Sequence, residues 1–279
     1  MKEYQSQLFP YAYNILGSAE DAKDAVQDVM LKYISKGIQP ESEMNYLIKG
    51  VINQSINIKR RKRKIQREGS WLPEPVATET ADLGLELREL VSYSLLFLLE
   101  RLNPKERAVF ILKEAFAYNH KEIAEVLSIT IAGSRKLLSR AHQKVQQTGK
   151  PKTVALSTEI WFKTIDRFTR AIHHKDLNEL HKLLSEDISF HADGGTKIKV
   201  VKNYCSGIDE VADLLLYVHH KYQRNYSIKP ALVNYQPALL YSYRSRLMLC
   251  QVFELDANLK INRVLVILDP IKLKALKNQ

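Results

Sequence analysis

Cysteine is nearly absent. Cys205 and Cys250 are the whole complement of a 279-residue chain, they lie far apart, and no histidine stands at metal-ligand spacing from either. That excludes a disulfide framework and a zinc site, and predicts buried free thiols in a reducing compartment, with no metal and no cofactor. Long apolar runs are also missing. None approaches the ~20 residues that span a bilayer. The opening MKEYQSQLFPYAYNILG has neither an uninterrupted apolar core nor a cleavage site. The expectation is a cytoplasmic protein with no membrane partner. No carboxylate pair, Ser-His-Asp order or metal spacing marks an active site, so no catalytic residue is assigned and the chain is not read as an enzyme. Acidic residues are the minority, 31 against 42 Lys and Arg, which leaves a net charge of +11 and a pI near 9.4. An anionic partner follows, nucleic acid before membrane. Hydrophobic content of 45% with 26% charged residues belongs to a folded chain, long enough for roughly two or three domains.

What is present begins with Tyr46 to Arg67, YLIKGVINQSINIKRRKRKIQR. Leu47, Ile48, Val51, Ile52 and Ile58, with Ser55 small between them, predict the buried face of a helix. Asn53, Gln54 and Asn57 fall largely off that face, and the helix runs into the basic residues Lys59, Arg60, Arg61, Lys62, Arg63 and Lys64. Amides bond base edges and a basic run suits phosphates. A solvated, charged surface helix is the competing reading. Upstream, Ser18 with Asp21 forms a capping pattern before a helix of about Ala19 to Ser35, whose apolar stripe is Ala22, Ala25, Val26, Val29, Met30 and Tyr33. Asp21, Asp24 and Asp28 make a second stripe. The positive end of the helix dipole accounts for the first turn but not for Asp28, two turns in. The alternative is a docking face for a basic protein surface.

Downstream, Asn103-Pro104-Lys105-Glu106 starts a helix with apolar Ala108, Ile111, Leu112, Ala115 and Phe116. Asn119 and Glu122 cap a short helix, HKEIAEVL, which the turn Ser128-Ile129-Thr130 joins to IAGSRKLLSRAHQKV. This is helix-turn-helix spacing. Arg135, Lys136, Ser139 and Arg140 lie outside the stripe Leu137, Leu138, Ala141 and Val145, free to meet bases and phosphates. The linker before it, GSWLPEPVATETADLGLEL, carries two prolines that favour an extended path, and acidic Glu74, Glu79, Asp82 and Glu86. Trp71 there needs a pocket, on the first domain or on another.

Beyond Lys150-Pro151-Lys152 the pattern becomes α+β. Helices are expected at about Thr158–His174, Leu177–Leu184 and Ile208–Tyr222. Strands are expected near Ile188–Ala192, Lys197–Tyr204, Tyr226–Asn234, Ala238–Arg244, Arg246–Asp256 and Lys260–Leu268. Helices followed by a curved antiparallel sheet suit a cone. His191, Asp193, Asp256, Tyr204, Tyr235, Tyr241 and Tyr243 could do chemistry inside it. Packing accounts equally for tyrosines on half-buried strands, and Asp193-Gly194-Gly195 reads as a tight hairpin turn.

YNILGSAEDAKDAVQDVMLKY with NYLIKGVINQSINIKRRKRK resembles region 2 of the extracytoplasmic-function (ECF) sigma factors of bacterial RNA polymerase. LNPKERAVFILKEAFAYNHKEIAEVL with RKLLSRA resembles their region 4.2. The resemblance implies a multidomain chain of two all-α helical sigma domains followed by an α+β SnoaL-like cone. Residues 1–68 would be region 2, 69–87 a linker, 88–149 the helix-turn-helix region 4, and 150–279 a SnoaL-like regulatory domain. It implies that Asp21, Asp24, Gln27 and Asp28 bind the clamp helices of the polymerase largest subunit. Asn53, Asn57, Lys59, Arg60, Arg61, Lys62 and Arg63 would meet the −10 promoter element, and Arg135, Lys136, Ser139 and Arg140 the −35 element. Met30 stands for the usual Phe, and Asn57 where many members have Asp.

A subgroup of that family with a fused SnoaL-like domain shares three motifs. W-L-P-E-P is intact at Trp71–Pro75, D-G-G-G-K stands as Asp193-Gly194-Gly195-Thr196-Lys197, and N-P-D-K-L is loosely matched by Asp269-Pro270-Ile271-Lys272-Leu273. In that subgroup the third domain regulates in cis through the linker. This implies that Trp71, Pro73 and Glu74 meet Asp193, Gly194, Gly195, Lys197 and Asp269. The partners implied are core RNA polymerase and promoter DNA, and an enclosed cone leaves room for a small-molecule ligand. The rival reading is a helix-turn-helix regulator with a ligand-binding domain that never joins polymerase, which leaves the acidic stripe unexplained. An isomerase or cyclase with a DNA-binding appendage would lack a recognisable catalytic set.

Overall fold

The computed structural model describes residues 2–37, 39–65, 71–78, 89–147 and 158–276. Two units form in an interleaved order, Met1–Arg67 with Thr80–Lys150, and Glu68–Glu79 with Pro151–Gln279. Lys150-Pro151-Lys152 and the acidic linker residues Glu79, Asp82 and Glu86 lie outside the described residues, as do the expected boundaries at 68/69, 87/88 and 149/150.

The first unit is helical: α1 (Lys2–Leu16), α2 (Ala19–Lys36), α3 (Glu43–Ile65), α4 (Tyr93–Leu98), a 3₁₀ turn (Leu99–Arg101), α5 (Pro104–Glu114), α6 (His120–Leu127) and α7 (Ile131–Gln147). Its helix starts follow the capping residues. The Ser18 hydroxyl accepts from the Asp21 N–H, while Asn103 with Glu106 and Asn119 with Glu122 both close reciprocal capping boxes. The α2 stripe Ala22, Ala25, Val26, Val29 and Met30 is buried, as are Leu47, Ile48, Val51 and Ile52 of α3. On α3 the buried face continues through Ile56, and Ile58 is only half-buried. The helix expected to carry Ala115 and Phe116 stops at Glu114. Ala117 turns left-handed (φ +56°), the Tyr118 N–H bonds the Leu112 carbonyl at 2.9 Å, and Phe116 stacks on Tyr11 with centroids 3.8 Å apart.

The second unit places α8 (Thr158–His174), α9 (Leu177–Leu183) and α10 (Ile208–Val218) with a six-stranded sheet. Its strands are β1 (Leu184–Asp193), β2 (Tyr204–Ser206), β3 (Ser227–Val233), β4 (Gln236–Tyr243), β5 (Arg246–Leu255) and β6 (Ile261–Ile267), in the order β2-β1-β6-β5-β4-β3. Pairing is antiparallel except for β1 with β6. One face carries Phe190, Leu239, Leu249, Phe253, Val264 and Val266 into the core, where Phe168 of α8 meets Phe253 edge-on at 5.0 Å. α10 runs into a π-helical turn, His219–Gln223. The strand expected over Lys197–Tyr204 does not form, and only Tyr204–Ser206 pairs with β1. The Ile198 N–H bonds the Gly194 carbonyl at 3.1 Å, folding the chain into a turn and a longer loop in place of a tight hairpin. Alternating Lys and apolar residues imitate strand periodicity there without a partner strand.

Candidate functional site

On α2, Asp24, Gln27 and Asp28 are exposed, and Asp21 is half-buried against Lys62, whose Nζ lies 2.6 Å from Asp21 Oδ2. Gln54 Nε2 donates to Asp28 Oδ2 at 2.9 Å. Two residues that the charge pattern did not flag extend the same face. Leu31 and Ile34 are 58% and 55% exposed, a turn and two turns beyond the Gln27/Asp28 pair. Large apolar side chains standing open beside carboxylates form a surface suited to a partner that is both greasy and basic.

On α3 the basic run divides. Asn57, Arg60, Arg61, Lys62 and Arg63 are exposed. Lys59, expected to meet the −10 element, turns inward. Its Nζ lies 2.7 Å from Glu100 Oε2, and Glu100 also pairs with the fully buried Arg107, whose Nε donates to the Asn14 carbonyl at 2.8 Å. The reason is helical phase: Lys59 follows Ile52 by seven positions and Ile56 by three, so it shares their stripe. Burial pulls the Lys59 ammonium down to about 8, against the opposing pull of Glu100. For Glu100 burial acts upward, but Arg107 and Lys59 outweigh it and hold the carboxyl below its ordinary range. Asn53 is similarly engaged, donating from Nδ2 to the Lys49 carbonyl at 2.8 Å and the Val126 carbonyl of α6 at 3.1 Å. Arg63 Nη1 reaches the Leu102 carbonyl at 3.3 Å. The side chain of Lys64 lies outside the described residues.

α6 and α7 meet through a left-handed Ser128 (φ +51°), and Thr130 Oγ1 accepts the Gly133 N–H at 3.0 Å to start α7. Buried Ser134 lies 2.9 Å from His120 Nδ1, and Lys144 Nζ lies 2.7 Å from Glu106 Oε2, fixing the rotation of α7. That rotation leaves Arg135, Lys136, Ser139 and Arg140 all exposed.

The second unit grips residues 71–78. The Leu72 N–H donates to Asp193 Oδ2 at 2.7 Å, and the Leu72 carbonyl accepts from Lys272 Nζ at 2.5 Å. Lys272 Nζ also lies 2.6 Å from Asp193 Oδ2 and 4.2 Å from the centre of the Trp71 ring, with both charged side chains 7% exposed. One buried ion pair thus satisfies both backbone groups of a single linker residue. Asp193 Oδ1 accepts the Gly195 N–H at 2.8 Å. Gly195 has φ +63°, and a Cβ there would lie 2.3 Å from Asp269 Oδ2; one on Gly194 would lie 1.9 Å from the Ile198 carbonyl oxygen. A side chain at either position would force its neighbours to shift, backbone at Gly194 and the Asp269 side chain at Gly195.

Further along, Val76 exchanges hydrogen bonds with Asn234 (3.0 and 2.8 Å), Thr78 N–H bonds the Leu232 carbonyl at 2.9 Å, and Ala77 bridges Val233 antiparallel on the edge of β3. Pro73 is buried and Glu74 half-buried. Lys197, expected to hold the linker, is exposed, and the lysine on Asp193 is Lys272. Its signal was the lysine of Asp269-Pro-Ile-Lys-Leu, whose turn the Asp269 carboxylate closes by accepting the Ile271 N–H at 2.9 Å. The other residues able to do chemistry stand apart. Tyr241 is in the core, His191 lies against Tyr204, and Asp256 closes a turn by accepting from Asn258 and Lys260.

The family model for sigma-70 region 4 matches residues 92–145, which span the helix-turn-helix. The ECF RNA polymerase sigma factor SigJ of Mycobacterium tuberculosis is 30% identical over 223 residues, covering 77% of this chain and 70% of SigJ. The chain belongs to the ECF sigma factors of RNA polymerase. A probable ECF sigma factor of the same species, SigI, is 24% identical over 285 residues, 99% of this chain and 94% of SigI. The crystal structure of M. tuberculosis SigJ shares the fold of this sigma factor at a TM-score of 0.78, covering 98% of this chain and 96% of that one at 24% identity. Helical modules followed by an α+β domain with a six-stranded sheet are therefore the architecture of this family member. Among the described residues no helix is long and apolar enough to cross a membrane.

Proposed function

We propose that this sigma factor docks on the clamp helices of the core polymerase largest subunit through α2, reads a promoter with α3 and α7, and is regulated in cis by its C-terminal domain. It works as a non-catalytic initiation factor in the cytoplasm. In this reading residues 1–68 and 88–149 are the promoter-reading domains, 69–87 the linker and 150–279 the regulatory domain.

The observation that carries the reading is the open ridge of α2, where Asp24, Gln27 and Asp28 stand exposed with Leu31 and Ile34. A helix-turn-helix regulator that never meets polymerase has no use for an exposed acidic and apolar face on a basic chain. Arg135, Lys136, Ser139 and Arg140 supply the −35 surface. At the −10 element, Asn57, Arg60 and Arg61 are available as they stand, whereas Asn53, Lys59 and Arg63 are held by Val126, Glu100 and Leu102. Full −10 engagement then requires α3 to part from residues 100–126. Pull-down with core polymerase tests the docking half: Asp24→Lys should lose core binding while keeping wild-type circular dichroism. Equal capture of the variant refutes it. Run-off transcription with core enzyme, full-length protein against a chain ending near Gly149, tests the regulatory half, and identical output from both refutes that half alone.

A further inference from the structure

A cavity of about 510 Å³ opens in the second unit between the sheet and α10. Phe190, Leu249 and Val266 line it from the strands, Leu214 and Val218 from α10, and Tyr222 from the π-helical turn. Its size lies inside the range of small-molecule sites, and π-helical turns recur where a helix has been reshaped for a ligand. Two buried amides stand in this apolar wall; Gln223 bonds His219, and the other has no such partner. Gln251 sits on β5 between Leu249 and Phe253, is 3% exposed, lines the cavity, and leaves its Nε2 donor buried without a hydrogen-bond partner. A buried amide donor left open costs free energy that packing alone does not return. Among the described residues the rest of the lining offers no carboxylate, imidazole or thiol. Its cationic members among the described residues are Lys199, which is exposed, and Lys202, already paired with Glu210. Among the described residues no charge lies deep enough to stabilise an anionic end beside Gln251, and no carboxylate or imidazole stands in the lining to take up a proton.

We infer that this cavity is a binding site for a neutral, largely apolar molecule whose buried end presents a carbonyl or hydroxyl oxygen to Gln251 Nε2, and that the molecule is held without being chemically changed. The inference goes beyond the initiation role, and it stands or falls independently of promoter and polymerase assays. Calorimetry on the full-length protein with three probes of one size tests it: 2-acetonaphthone (neutral, with an acceptor), 2-ethylnaphthalene (no acceptor) and 2-naphthoate (anionic). The expected order is 2-acetonaphthone about five- to tenfold tighter than 2-ethylnaphthalene, the yield of one net hydrogen bond, at one site per chain, with 2-naphthoate weakest. Gln251→Leu should erase the ketone's advantage while retaining 2-ethylnaphthalene. Leu214→Trp, at a half-buried position on α10, fills the cavity and should abolish both, and it serves as the test if Gln251→Leu does not fold. Failure of both neutral probes to bind, equal affinities in the wild type, preference for 2-naphthoate, or binding that survives Leu214→Trp overturns the site.

Discussion

Lys272→Met isolates the linker clamp. Methionine keeps most of the side chain's apolar stem and removes the ammonium that donates to the Leu72 carbonyl at 2.5 Å and to Asp193 Oδ2 at 2.6 Å. It also removes the cation 4.2 Å from the Trp71 ring centre. Asp193 would remain buried as an unpaired carboxylate, a change that generally costs about 3–5 kcal/mol. Two donors stay in place, Leu72 N–H at 2.7 Å and Gly195 N–H at 2.8 Å, which puts the expected cost at the low end, about 3 kcal/mol. Applied to local opening of the linker, that is on the order of a hundredfold in the opening equilibrium.

Hydrogen exchange over residues 71–78 reads this directly. The Leu72 amide should lose about two decades of protection, while amides of β4 and β5 keep theirs. Lys197→Met, on an exposed residue of the same loop, is the control and should leave Leu72 untouched. Removing both charges with Asp193→Asn/Lys272→Met should cost less than the two single changes summed, because no buried charge is then left alone. With both side chains 7% exposed, added salt should change wild-type protection little. Protection at Leu72 that survives Lys272→Met, or that Lys197→Met removes equally, refutes the clamp.

Gly195→Ala forces a side chain onto φ +63° with its Cβ 2.3 Å from Asp269 Oδ2, and should lower the stability of the second unit by about 1–3 kcal/mol in urea titration. A midpoint within error of wild type contradicts the close approach. Acid should weaken the first unit through Glu100. Its folded carboxyl sits below its ordinary 4.5, so the unfolded chain binds the extra proton in the window between. Stability therefore rises with pH through that window, is complete above it, and is lost as pH falls through the folded value. Glu100→Gln should flatten this acid limb of the urea midpoint, and an unchanged limb assigns it to other groups. Arg140→Ala should weaken binding to a duplex carrying the −35 element and, if the contact is to phosphate, lower the salt slope by about one. Unaltered affinity and slope would remove Arg140 from the interface.

The signals that could be read along the chain were the local ones. Asn103 with Glu106 and Asn119 with Glu122 are capping boxes complete within four residues, so the helix-turn-helix and its exposed Arg135, Lys136, Ser139 and Arg140 needed nothing from elsewhere in the fold. The α2 stripe was legible for the same reason. Misreadings arose where a residue's partner lies far along the chain. Lys197 was the lysine of the motif nearest Asp193 in sequence, but the folded sheet lays β1 beside β6 and so brings Lys272, 79 positions away, onto the Asp193 carboxylate. Lys59 shows the opposite case, since its phase was available. A run of six basic residues on a helix cannot all face one way, and the member three positions after Ile56 had to turn toward the core, where Glu100 and Arg107 meet it.

That inward turn has a consequence for regulation. An ammonium drawn down to about 8 by burial, and compensated by Glu100, cannot be exposed to promoter phosphate without leaving Glu100 and Arg107 behind as a pair. Such an exchange would be tolerable because Arg107 could remain with Glu100 as Lys59 left. In the proposed movement of α3 away from region 4, Arg107 would stay with Glu100 and keep its carboxylate paired, while Asn53, released from the Val126 carbonyl, would be free to bond a base edge.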